Sequence, residues 1–187
     1  NLAFDPHETS GVFVGYDTAD LESFSRIGLP GGPVTGMPRK MDWMIRADIA
    51  KEGPRAAPEG GQWRRVTPDT VPAAAADLIE LKNDDGTAEG WRSFADAGPA
   101  VRFTGAPAEA ELVAFRVHSA RYGSGYDRAR ERIEFFIFTD DGAVLAAGSF
   151  PYAEIGRESR WAKVEVAPTG VPDVFWVALK AHSDAAK

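Results

Sequence analysis

Ile133-Glu134-Phe135-Phe136-Ile137-Phe138-Thr139-Asp140-Asp141-Gly142-Ala143-Val144-Leu145-Ala146 is the stretch that decides the fold class. Its first seven residues are nearly all apolar and rich in aromatic and β-branched side chains. That is the composition of a well-buried strand. Asp-Asp-Gly then makes a turn, because Asp bonds its own backbone and Gly takes positive φ. A second apolar run follows, so the stretch predicts a hairpin.

The same signal continues outward from this hairpin. Between Met41 and Ile49, the residues Met41, Trp43, Ile45, Ala47 and Ile49 fall on one face and Asp42, Met44, Arg46 and Asp48 on the other. That period of two predicts a half-buried strand. Glu111–Ser119 repeats it, with Val113, Phe115 and Val117 inward and Arg116 and His118 outward. Trp161–Val166 alternates again, and Val174–Leu179 and Gly11–Tyr16 are short apolar runs. Asp77–Leu81 and Ala100–Thr104 are weaker candidates. The total is about nine or ten short strands at the spacing of a sandwich or barrel. Helix is confined to single turns at Pro72–Ala76 and Pro151–Ile155, too short to stand alone. The expected fold is an all-β, antiparallel, jelly-roll-like β-sandwich with little helix.

Composition agrees with a globular body. The chain has 187 residues, 44% of them hydrophobic and 26% charged, and suits one domain. Cys is absent, which excludes disulfides, thiolate metal sites and Cys nucleophiles. The net charge of −7 repels phosphate backbones, so nucleic acid is not an expected partner. No apolar run approaches the length of a membrane span, and no membrane insertion is expected. Asn1 opens a sequence without a basic n-region, and no leader is expected within it. Residues 51–76 are rich in Pro and Gly and lack apolar periodicity, so they read as a linker. Residues 77–187 then hold the main sandwich. Residues 1–50 hold strands that complete it, or that form the tail of a preceding copy.

Ile79-Glu80-Leu81-Lys82-Asn83-Asp84-Asp85-Gly86-Thr87-Ala88-Glu89-Gly90 carries a resemblance. It is similar to the opening of a β-sandwich accessory module appended to multidomain extracytoplasmic bacterial proteins. Ala100–Phe103, Val117–Gly123 and Phe175-Trp176-Val177 resemble later segments of that module. Gly11–Asp17 and Asp42–Ala47 resemble its closing motifs, yet they stand at the start of this chain. The resemblance therefore implies a circularly shifted frame, in which Val174–Leu179 and Gly11–Tyr16 are neighbours. It also implies an extracytoplasmic setting and partners within a parent protein.

Few residues invite chemistry. The histidines His7, His118 and His182 show no zinc-hydrolase spacing, and Ser124 lies in a flexible Gly-Ser-Gly rather than a nucleophile elbow. No catalytic residue is expected. Gly31-Gly32-Pro33 lacks the Lys-Ser/Thr of a phosphate loop. No cofactor is expected either, with structural calcium at Asp84 and Asp85 as the alternative to a plain turn. The loop Arg121-Tyr122-Gly123-Ser124-Gly125-Tyr126-Asp127-Arg128-Ala129-Arg130-Glu131-Arg132 is the candidate binding site, through Tyr122, Tyr126, Arg121 and Arg128; the alternative is that Tyr122 finishes its strand and Arg128, Arg130 and Arg132 form one solvated edge. Aromatic faces stack on sugars, and Arg supplies directed donors. Trp43, Trp161 and Trp176 are expected in the core, and Trp63 and Trp91 are the exposed candidates. The expectation is a non-catalytic accessory or interaction module, whose partners are other domains of a parent protein. The alternatives are a carbohydrate-binding module and a hydrolase with an unrecognised site. A closed monomer is expected, with a swapped dimer as its competitor, because intramolecular closure avoids the entropy of association.

Overall fold

The computed structural model describes residues 11–18, 25–30, 32, 35–36, 41–51, 65–68, 78–93, 98–122 and 132–182. Their strands, in chain order, are β1 (Gly11–Asp17), β2 (Ser25–Ile27), β3 (Thr35–Gly36), β4 (Asp42–Trp43), β5 (Ile45–Ala50), β6 (Arg65–Pro68) and β7 (Leu78–Leu81). They continue as β8 (Gly90–Ser93), β9 (Pro99–Thr104), β10 (Glu111–Tyr122), β11 (Arg132–Thr139), β12 (Val144–Pro151), β13 (Arg160–Gly170) and β14 (Val174–His182). One 3-10 turn, Tyr152–Glu154, falls within the expected Pro151–Ile155 turn.

Two antiparallel sheets pack face to face, so the all-β sandwich is the observed fold. The eight-stranded sheet runs β4-β1-β10-β13-β6, with β5 also on β10, β7 on β5 and β8 on β1. The six-stranded sheet runs β12-β11-β14-β9-β2-β3. Strand β10 is the spine of the first sheet. One of its edges takes β13, while β5 pairs with its first part and β1 with its last. Met44 bridges the two partners, with its N–H on Gly15 O and its carbonyl accepting from His118 N–H. Three strands of residues 11–50 thus pair with later strands of the same chain, β1 and β5 with β10 and β2 with β9. The expected neighbours Val174–Leu179 and Gly11–Tyr16 lie in opposite sheets, and both feed one core.

The predicted hairpin is β11–β12. Gly142 takes a φ of 87°, and its N–H bonds Thr139 O at 2.9 Å. The Asp141 carboxylate accepts from the Thr139 hydroxyl and the Ala143 N–H. Phe135 lies opposite Gly148, and its ring fills the space a side chain would need there. A Cβ at Gly148 would stand only 2.6 Å from Phe135 Cζ, so β12 needs glycine at this close approach.

Several sequence readings need correction. Trp176, expected in the core, is half-buried on the outer face of the six-stranded sheet, at the opposite parity to Phe175 and Val177, which face the core. Val113, expected inward, stands at a β-bulge between Leu112 and Ala114, and Leu112 takes the core position instead. Within the stretch read as a linker, Arg65–Pro68 is a strand on the free side of β13. Among the described residues it is an edge strand, the position where a sheet tolerates Pro. Trp161 is not a core residue. It shares its parity with Lys163 and Glu165, on the outer face of the eight-stranded sheet, while Ala162, Val164 and Val166 face the core. The sequence reading puts Trp161 in phase with core positions, but the core phase of this strand is that of Ala162, Val164 and Val166.

The outer face of the six-stranded sheet carries a polar clasp. Arg102 makes two bonds to Asp140, at 3.0 and 2.7 Å, and Trp176 Nε1–H donates to the same carboxylate at 2.6 Å. The Arg102 bond and the Trp176 bond hold the Asp140 carboxyl down at about 2. The ionised form is the favoured one, so this contribution is present above the ordinary Asp range and is lost as pH falls through about 2. Titration followed by carboxyl-carbon NMR is expected to show it, and Arg102→Ala should return Asp140 toward its ordinary value. An Asp140 midpoint that ignores Arg102→Ala would show that the clasp does not form in solution.

Candidate functional site

The densest chemistry lies on the outer face of the eight-stranded sheet, and alternation puts it there. Arg46 and Asp48 on β5, Glu80 on β7, Arg116 and His118 on β10, and Trp161 and Lys163 on β13 all take outward positions. The outward half of these strands is not solvated as simple alternation suggests. Asp48 is only 2% exposed, because its carboxylate meets Arg116 at 3.2 Å and Lys163 at 4.0 Å. Glu80 bridges Arg116 at 2.8 Å and Arg46 at 3.5 Å. Arg46 reaches Asp84, in the β7–β8 connection, with Nε at 3.1 and 3.2 Å and Nη2 at 2.5 Å. The guanidinium also lies 4.3 Å from the centre of the Trp161 ring. Charge, hydrogen bonding and cation–π contact therefore lock one Arg in place.

An aromatic row crosses the same face. His118 pairs with Trp161 across β10 and β13, and their rings stand 5.1 Å apart. On its other side His118 meets Trp91 of β8 at 4.9 Å. Trp91 lies opposite Gly15 of β1, and a Cβ at Gly15 would crowd His118 Nδ1 and Met44 Sδ, both at 3.1 Å. The missing side chain at Gly15 is what lets these three groups converge. Burial pushes the His118 pKa below the ordinary His value; Arg46 adds to this and Asp84 opposes it. The imidazole is therefore neutral near pH 7, and its buried Nδ1 has no hydrogen-bond partner among the described residues.

The site residues expected from sequence are dispersed. Tyr122 ends β10 on the outer face and stacks on Phe13 at 4.3 Å. Arg121, its neighbour, takes the opposite parity, so the two do not share a face. Tyr126 and Arg128 lie outside the described residues, as do Ser124 and Trp63. Asp84 and Asp85 do not share a site either. Asp84 is buried against Arg46, whereas Asp85 joins Asp17 and Glu89, with carboxylate oxygens within 4.8 Å of one another. Each of these three carboxylates already accepts a backbone N–H: Asp17 from Asp85, Glu89 from Thr18, and Asp85 from Thr87. They tie the β7–β8 connection to the end of β1. Three such oxygens are about half of the six to eight that calcium takes.

Sequence reasoning marked Trp91 as exposed, and it is, at 37%. It missed Phe13, the stacking of His118 and the Arg46–Asp84 pair. The outward parity of Arg46, Arg116 and His118 was the available signal, but strand neighbours must be known before parity becomes proximity. A scan against family models, a search of curated proteins and a search of solved structures each find no match to this chain.

Proposed function

We propose that this chain is a non-catalytic accessory module of a larger bacterial protein, binding and positioning a partner across the outer face of its eight-stranded sheet. The observation that carries this reading is the exposed Trp91 on a face otherwise closed by matched ion pairs. Surface Trp is enriched where proteins bind, because it brings large area at low entropic cost. His118 supports a binding role over proton transfer. It stacks between two indoles, and a general base needs a reacting proton within hydrogen-bond reach.

The test has two arms. The isolated chain is assayed on ester, peptide and glycoside substrates, and the segment is deleted from its full-length protein. The expected result is no turnover by the chain, and weaker retention of the deleted protein on its target with its own turnover intact. Turnover that vanishes on His118→Ala, or retention unchanged by the deletion, would overturn the reading.

A further inference from the structure

We propose that Trp91, with the Phe13–Tyr122 pair beside it, is the stacking platform for a chain of neutral sugars. This rests on the accessory-module reading and names the ligand of that face.

Trp91 is the one exposed large aromatic among the described residues. Its ring is braced from below. It leans on His118, which leans on Trp161, whose ring contacts the Arg46 guanidinium held by buried Asp84. Gly15 gives room to the His118 ring on which Trp91 leans, since a Cβ there would stand 3.1 Å from His118 Nδ1. A ring fixed before binding loses little freedom when a ligand covers it.

The strand registers extend the platform. Gly15 lies opposite Trp91, and Phe13 lies opposite both Ser93 of β8 and Ala120 of β10. All of these share the outward parity. Two residues of strand advance about 7 Å, so the stacked Phe13 and Tyr122 rings form a second row beside the first. Small residues flank the rings: Gly15 stands in the first row opposite Trp91, and Ser93 and Ala120 stand on either side of Phe13 in the second. The result is a shallow aromatic strip that suits the flat C–H face of a pyranose, with the exposed Ser93 hydroxyl beside it.

Charge selects among sugars. The cations of this face, Arg46, Arg116 and Lys163, are each paired with carboxylates. Asp17, Asp85 and Glu89 add negative charge near the Trp91 end, where β8 and the β7–β8 connection meet β1. A phosphate, sulfate or uronate would have to break an existing ion pair or face these acids. A neutral sugar does neither.

Affinity electrophoresis tests this on the whole chain. Gels containing mixed-linkage β-glucan, xylan or glucomannan are run beside gels containing polygalacturonate. The expected result is retardation in at least one neutral gel and none with polygalacturonate. Trp91→Ala should lower the association constant at least tenfold, and Tyr122→Ala less, with thermal midpoints close to that of the parent chain. If Trp91→Ala perturbs the fold, Gly15→Ala provides a second probe: its Cβ would press on His118 Nδ1 and Met44 Sδ at 3.1 Å, shifting the imidazole on which Trp91 leans and weakening binding while β-sheet circular dichroism is retained. Retardation in no neutral gel, retardation indifferent to Trp91→Ala in a folded protein, or retardation by polygalacturonate alone would overturn the proposal. Loss of retention on deleting the module, with no gel effect, would refute the sugar and leave the accessory reading standing. Unchanged retention on deletion would refute the accessory reading itself.

Discussion

Arg46→Ala is expected to destabilise the fold by about 3–5 kcal/mol, the range for removing one member of a buried ion pair. The Asp84 side chain is fully buried and that of Arg46 is 14% exposed. Without the guanidinium, the Asp84 carboxylate would remain in the protein with its charge uncompensated. Arg46→Lys should recover only part of the loss, because an ammonium cannot reproduce the fork on both carboxylate oxygens. The double replacement Arg46→Met with Asp84→Leu is expected to be much milder than Arg46→Ala, since no buried charge is left behind. Urea unfolding of the four proteins checks this. A loss below about 1 kcal/mol for Arg46→Ala would show that water reaches Asp84, as for an exposed pair.

Phe115→Ala should cost a similar amount, about 3–5 kcal/mol, by a different mechanism. Phe115 of β10 is completely buried, and its ring meets Phe135 of β11 at 5.3 Å, tilted by 60°. This contact joins the two sheets across the core. Removing the ring loses its transfer energy and leaves a cavity that rigid sheets close only in part. Phe135 could relax toward the cavity only by leaving Gly148, which its ring now covers. Phe115→Leu should cost less, because most of the volume remains. The same urea titration reads both variants. A small loss for Phe115→Ala with an unchanged denaturant slope would mean that the sheets slide together and refill the space.

Local pattern carried much of this fold. Alternation in Met41–Ile49, Glu111–Ser119 and Trp161–Val166, with the Asp140-Asp141-Gly142 turn, determined strands, hairpin and the class of architecture. These depend on neighbours in the chain: a strand's parity and a turn's φ are set within a few residues. Short strands such as Thr35–Gly36 and Arg65–Pro68 were not legible, because each exists only through its partner strand. Reading Trp161 in phase with core positions misplaced it, because it shares its parity with Lys163 and Glu165 and not with Val164 and Val166.

The candidate site divides along the same line. The sequence alone determined that Arg46, Arg116 and His118 point away from the core and that Trp91 is left exposed. It also determined which chemistry is excluded for want of cysteine. Only the tertiary structure decided that Asp84 meets Arg46, 38 residues away in the chain, and that Asp85 turns instead to Asp17. It also decided that Trp91, His118 and Trp161 form one row. Those contacts join strands β1, β5, β8, β10 and β13, whose order in the sheet differs from their order in the chain. Periodicity assigns each side chain a face. Proximity on that face depends on strand order and register, which follow from how the whole chain closes its core.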